Sequence, residues 1–383
     1  MVKLGEVARV VAGGTPKTSV LEYWDGDIPW VTPKDLALSE SLWINAGERF
    51  ITDYGLAKSA AALLPRGTVL WSSRAPIGLV AIANNQIATN QGFKSFVPGE
   101  ELDSEYLAYF LIHQRPILEM MGVGATFKEV SAKRAAEIMV PLPPLGEQKR
   151  IAEILGKTTG AISSVQKQIE QAKKLRSSIV GMASKMAVEL RAISEYFDIN
   201  PRQPRNIPDN APTSFVPMAN LDETFGISPI ASRFSEHKKG YTYFENGDIL
   251  LAKITPCFEN GKSAIAKLST QIGHGSTEFH VLRHKNHMHQ DACLSPLLAA
   301  AILKQPSFLK PAENFMRGSA GQKRIPVSYI ASLKVPVLKS VDLEKIDQSL
   351  EIVEALLNLY HRKLSLLQEL QKSLATRAFA GLL

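Results

Sequence analysis

The sequence predicts an α+β protein of two tandem, pseudo-repeated globular domains. Each is followed by a long helix, and the two helices pair as an antiparallel coiled coil. Three observations lead there. A shift of 195 positions lays Val140-Pro141 on Val335-Pro336 and holds register without a gap as far as Ala183 on Ala378. Two segments after those prolines carry apolar residues at alternating spacings of four and three, the narrow stripe by which helices pack knobs into holes. The blocks ahead of them alternate short β-rich runs with Gly, Pro, Asn and Asp breakers, as compact mixed domains do.

The first domain is expected over 1–144. Its strand-like runs are "GTVLWSS", "GLVAIA" and "KSFVP", and a helical piece follows in "SEYLAYFLIHQRPILEMM". The run "VPLPP" at 140–144 then closes the block, because proline fixes φ, lacks a donor and suits the start of a helix. The first helix is expected over 145–190. Its stripe is Ile151, Leu155, Thr158, Ile162, Val165, Ile169 and Ala172. Its outer face is read as carrying Lys149, Arg150, Lys157, Lys167, Lys173, Lys174, Arg176 and Lys185, a run that is usually the wet side of a helix.

The second domain, expected over 191–340, repeats the plan. "GDILLAKI", "SAIAKL" and "EFHVLR" read as strands and "SPLLAAAILKQPSFLKP" as the helical piece. "LPRGTVLWSSRAP" at 64–76 lies on "FENGDILLAKITP" at 244–256, with Gly67 on Gly247 and Pro76 on Pro256. "IPWVTPKDL" likewise resembles "TSFVPMANL". The second helix, expected over 341–383, carries Ile346, Leu350, Val353, Leu357, Tyr360, Leu364 and Leu367 at the spacing of the first. One such segment would be read as an amphipathic helix on its own domain, whereas two matched segments predict mutual pairing. At 1.5 Å per residue each would be roughly 50–60 Å long. The pairing set is Ile151, Leu155, Ile162, Val165 and Ile169 against Ile346, Leu350, Leu357, Tyr360 and Leu364.

Composition narrows the function. The 383 residues are 45% hydrophobic and 21% charged, which suits folded domains rather than a disordered chain. No apolar run is long enough to span a bilayer, so no membrane partner is expected. Cys257 and Cys293 are too few for a disulfide framework, which points to a reducing, cytoplasmic compartment. With 44 basic and 37 acidic residues the formal charge is +7, a balance that favours phosphate-rich partners.

No catalytic residue is expected, because no methyltransferase tetrapeptide, Walker loop or Gly-x-Ser-x-Gly elbow is present. A loose nuclease-like set, Asp209 with Glu236 and Lys238, falls partly in a proline-rich run and reads as chance. Five histidines (274, 280, 284, 287 and 289) crowd one stretch, with Cys293 the only nearby thiol. A solvated or phosphate-facing loop is expected there, with no metal.

Two similar domains on matched helices behave like a dimer fused into one chain, and DNA-binding dimers read two half-sites at fixed spacing. Because the domains differ, two unlike half-sites are expected. The stretches "KLGEVARVVAGGTPKTSVLEYWDGDIPWVTPKDL", "ATNQGFKSFVP", "MVPLPPLGEQKRIAEIL" and "LQKSLATRAFAGLL" resemble, in this order, the signatures of the specificity (S) subunits of type I restriction–modification systems. The resemblance implies two target-recognition domains without catalysis or a cofactor of their own. It also implies double-stranded DNA as ligand and two methyltransferase (M) subunits, which bind S-adenosylmethionine, as partners. Endonuclease–translocase (R) subunits would join them, in a prokaryotic cytoplasm.

Base readout needs bidentate side chains, Arg or Lys for guanine and Asn or Gln for adenine. Candidates in the first domain are Lys34, Arg74, Asn90, Gln91 and Lys128, and in the second Lys253, Lys262, Arg317, Lys323 and Arg324. Lys128 and Lys323 are equivalent at the 195 shift, which favours shared phosphate contact over base choice. The competing readings are a coiled-coil interaction scaffold without DNA binding and an enzyme fragment that retains catalysis.

Overall fold

The structure, a computed structural model, describes residues 1–74, 76–123, 128–221, 227, 229–237, 239–285, 293–319 and 321–383. Contacts divide the chain into two compact units, Met1–Ser164 with Leu364–Leu383, and Val165–Lys363.

In the first unit a five-stranded sheet runs in the order Ala8–Ala12, Lys94–Pro98, Val69–Trp71, Val80–Ala83, Trp43–Ile44, antiparallel except for its last pair. A three-stranded sheet places Trp24–Val31 between antiparallel Arg49–Ile51 and parallel Ala88–Thr89. Val69 and Trp71 join Phe96, Tyr106 and Phe110 in one core cluster, while Leu70 joins Val31, Leu36, Ile87 and Phe93 in another. That period-two split explains the unbroken apolar run, since both faces of the strand are covered. The turn into it needs a left-handed residue, and Gly67 supplies one at φ +85°.

The second unit contains two four-stranded sheets. One is antiparallel throughout, in the order Phe197–Ile199, Phe279–His284, Ile249–Ala252, Ser263–Ile265. The other runs Ile230–Arg233, Pro212–Val216, Ile272–Gly275, Thr242–Glu245, with a parallel central pair. Gly247, the repeat partner of Gly67, takes φ +93° before its strand. The seams also match. Met139–Val140 pairs with Val2–Lys3, and Lys334–Val337 pairs with Glu189–Ala192. The Leu4 N–H donates to the Ile138 carbonyl at 2.8 Å, and the Ile193 N–H to the Leu333 carbonyl at 2.9 Å.

The two long helices are Leu145–Met186 and Ser340–Phe379. The first is shorter than the expected 145–190, because Glu189–Ala192 is claimed by the strand pairing just described. The expected antiparallel pairing is observed. In the first unit Gln371 Nε2 donates to Thr159 Oγ1 at 2.7 Å and Arg150 Nη2 to the Leu383 carbonyl at 3.0 Å. Ala375 and Ala378 share a core cluster with Ile151, Ala152 and Leu155. In the second unit Arg176 meets Glu354 at 3.4 Å, both side chains buried. Arg176 therefore does not lie on the wet face where its sequence neighbours suggested. Burial pushes the Glu354 carboxyl up, against the pull of Arg176 and Lys304.

Of the expected pairing set, Ile151, Leu155, Val165, Ile169, Ile346, Leu350 and Leu357 are buried, and Ile162, Tyr360 and Leu364 are partly exposed. Ile151 and Leu155 pack on their own domain as well as on the second helix, so both readings of an amphipathic stripe hold there.

Candidate nucleic-acid interface

In the first unit the five candidate residues sit on segments that lie side by side. The Ser73 N–H donates to the Gly92 carbonyl at 2.7 Å and the Val130 N–H to the Ser73 carbonyl at 2.9 Å. These bonds gather Arg74, the Asn90-Gln91 turn and Lys128. A Cβ at Gly92 would stand 3.2 Å from Pro33 Cγ, which brings the Lys34 segment against the same turn. Gln91 and Lys128 are exposed. Asn90 Oδ1 accepts from the Gly92 N–H at 2.9 Å, so this side chain shapes the turn. Thr15 Oγ1 is hydrogen-bonded to Gln91 Oε1. Behind Thr15 the chain passes so close to its neighbours that a Cβ on Gly13 would stand 1.9 Å from the Asn90 carbonyl oxygen. Only glycine fits there.

Two of the candidate cations are held by carboxylates. Lys34 Nζ lies 3.0 Å from Glu48 Oε2, both exposed. Arg74 Nε lies 2.8 Å from Glu129 Oε2, and the other oxygen of Glu129 takes Lys94 Nζ at 3.0 Å. Lys94 is buried on the sheet, and sequence reasoning passed over both it and Glu129. Burial pushes the Glu129 carboxyl up, but Lys94 and Arg74 together hold it below the usual range. Arg49 was passed over too. Its guanidinium stacks 3.4 Å from the centre of the Trp24 ring. The signal available was the two tryptophans of "WDGDIPW", which also pack edge-to-face.

The second unit gathers its candidates through the same connections. The Lys253 N–H donates to the Glu278 carbonyl and the Ile325 N–H to the Lys253 carbonyl, each at 2.9 Å. The Thr255 N–H reaches the Lys323 carbonyl at 3.0 Å, and the Ala252 N–H reaches that of Lys262 at 2.9 Å. Arg317 and Arg324 bridge each other through their backbones at 3.0 and 2.8 Å. Lys253 thus occupies the place of Ser73, and Ile254 opposite Arg324 occupies that of Arg74 opposite Glu129. The Arg324 guanidinium grips Glu278 with Nε–Oε2 at 2.9 Å and Nη2–Oε1 at 2.8 Å. That grip holds the Glu278 carboxyl below its usual range despite burial.

The histidines are dispersed. His274 Nε2 faces Gln203 Oε1 at 3.3 Å, His280 Nε2 the Ile325 carbonyl at 2.9 Å, and His284 Nε2 the Leu294 carbonyl at 3.0 Å. His287, His289 and Lys238 lie outside the described residues. Among the described residues no three His, Cys, Asp or Glu side chains converge as metal ligands. No helix among them is long and apolar enough to cross a membrane.

Residues 1–174 match the family described as the type I restriction modification DNA specificity domain. The type I restriction enzyme MjaIX specificity subunit of Methanocaldococcus jannaschii is 41% identical over 176 residues, covering 45% of this chain and 40% of that protein. The EcoEI specificity subunit of Escherichia coli is 41% identical over 147 residues, covering 38% of this chain and 24% of that protein. The chain thus spans less than half the length of either relative. The S subunit of a type I restriction–modification system from M. genitalium shares the fold, with TM-score 0.62 at 14% identity over 99% of this chain and 95% of that one. Residues 1–174 are thus similar to the type I restriction modification DNA specificity domain, and the chain shares its fold with the M. genitalium S subunit.

Proposed function

We propose that the protein reads an asymmetric, bipartite site in double-stranded DNA, one half-site per head, and serves as the DNA-reading subunit of a type I restriction–modification complex. The observation that supports this reading is the patch built twice on equivalent backbone connections. In the first head it carries Lys34, Arg74, Asn90, Gln91 and Lys128, and in the second Lys253, Lys262, Arg317, Lys323 and Arg324. Equivalent placement suits shared phosphate contact, and unlike side chains suit unlike base choice. The chemistry of the complex would be carried by partners. Two methyltransferase subunits would bind S-adenosylmethionine and dock on the paired helices, and endonuclease–translocase subunits would join them in a prokaryotic cytoplasm.

The test is binding selection from a random duplex library at moderate salt, with the chain mixed with a candidate methyltransferase subunit. Two unlike short motifs at one fixed spacing are expected. Binding without an enriched motif would leave only non-specific attraction, and no binding at low salt would make the chain a protein-interaction scaffold.

A further inference from the structure

Both heads carry a carboxylate–arginine pair at the candidate DNA surface, and the charge at one equivalent position is reversed. At the bridge position of Glu129 the second head has Arg324, and at the turn position of Gly92 it has Glu278. In each head a partly buried carboxylate occupies a cation of the candidate DNA surface. Glu129 takes Arg74 on one oxygen and Lys94 on the other, and Glu278 takes Arg324 on both.

The Lys94 side chain is 9% exposed and the Arg74 side chain 46%, so Glu129 joins an anchored cation to a wet one. Arg324 is similarly wet at 41%, against 23% for Glu278. A guanidinium can donate to a carboxylate or to a phosphate in the same bidentate geometry. The carboxylate therefore competes directly with the DNA backbone for its arginine.

We infer that Glu129 and Glu278 are specificity-determining residues, internal stand-ins for phosphate that keep Arg74 and Arg324 occupied until correctly docked DNA displaces them. This rests on the DNA-reading function proposed above. A free arginine adds sequence-independent affinity on any duplex, whereas a masked one contributes only where the remaining contacts offset the exchange. The two heads reach that state with the carboxylate on different segments. A requirement for a masked arginine at this place accounts for that better than a requirement for one particular residue.

The experiment is a double-substitution cycle on the full chain, with a 30-base-pair random-sequence duplex as probe and binding followed across a range of salt. Glu129→Gln is expected to tighten random-duplex binding about three- to tenfold at low salt and to steepen the log–log salt dependence by about 0.9, one phosphate's worth. In an Arg74→Gln background the same change should have no effect. An equal gain in both backgrounds would mean that the lost negative charge acts generally, and the inference fails. No gain in either background also overturns it.

Glu129→Gln leaves Lys94 buried beside a neutral amide, so the cycle of Glu278→Gln with Arg324→Gln stands as an independent second measurement. Absence of salt-dependent binding by the parent protein would remove the DNA reading itself, a failure distinct from a cycle that closes to zero.

Discussion

Gln148 lies completely buried one turn into the first long helix and ties that helix to its domain. Its Oε1 accepts the Asp103 N–H at 2.9 Å, and its Nε2 donates to the carbonyls of Glu101 and Pro143 at 2.8 Å each. Gln148→Leu would remove three hydrogen bonds to half-buried or exposed backbone, each worth about 0.5–1.5 kcal/mol net. With partial relaxation we expect a loss of about 2–4 kcal/mol in the first unit. Hydrogen exchange over 101–111 would show it as faster opening, and unchanged protection there would refute it.

His274 is buried beside Phe234 and Tyr243. Burial, with a smaller push from His237, lowers its pKa to about 4. The folded form then binds fewer protons than the unfolded form between about pH 4 and 6.5, so this contribution to stability is complete above the unfolded value and is lost as pH falls. The loss across that window is up to about 3 kcal/mol, and burial lowers His280 in the same direction. Urea unfolding from pH 7 to 4 should show a clearly shallower decline for His274→Gln than for the parent. Equal slopes would mean that His274 does not titrate on unfolding.

At the scale of elements, the long helices were the most legible part of the sequence. Alternating spacings of three and four mark a stripe whatever surrounds it, and Leu155, Val165, Leu350 and Leu357 are all buried. What the stripe does not record is a polar pair placed within it. Arg176 and Glu354 sit far apart in sequence and each reads as solvated, yet they meet in the seam. Desolvation offsets much of the attraction in such a buried pair, so its net contribution to stability is small. If the helices set the spacing between half-sites, removal of one heptad within 158–180 should change the preferred spacer while both half-sites remain readable. The same library selection would reveal this, and an unchanged spacer in a binding-competent variant would refute it. Strand order, by contrast, was beyond reach. Short runs such as Ala88–Thr89 and Trp43–Ile44 pair with Trp30-Val31 and Ile82-Ala83, strands distant in sequence that no local pattern names.

At the scale of the molecule, duplication shows in matched turns and matched seams. Gly67 and Gly247 mark one turn twice because both positions need a left-handed backbone that glycine gives at little cost. The candidate surface was readable only in part. Arginines and lysines in loops can be picked by type, and backbone bonds bring most of the segments that carry them side by side in each unit. Their carboxylate partners could not be found that way, since Glu129 faces Arg74 only through a bridge across 55 residues of chain.

The division of the chain has a further consequence, for synthesis. The first unit is made of Met1–Ser164 and Leu364–Leu383. Leu374, Ala375, Ala378 and Phe379 belong to the same core as Tyr106, Phe110, Ile151 and Leu155. A ribosome that has just made Ser164 has therefore made a head with an uncovered apolar flank. At about 5–20 residues per second, the strip that covers it follows roughly 10–40 s later. Through that interval the flank stays uncovered, and a change that delays or removes Leu364–Leu383 is expected to surface as aggregation of the first unit.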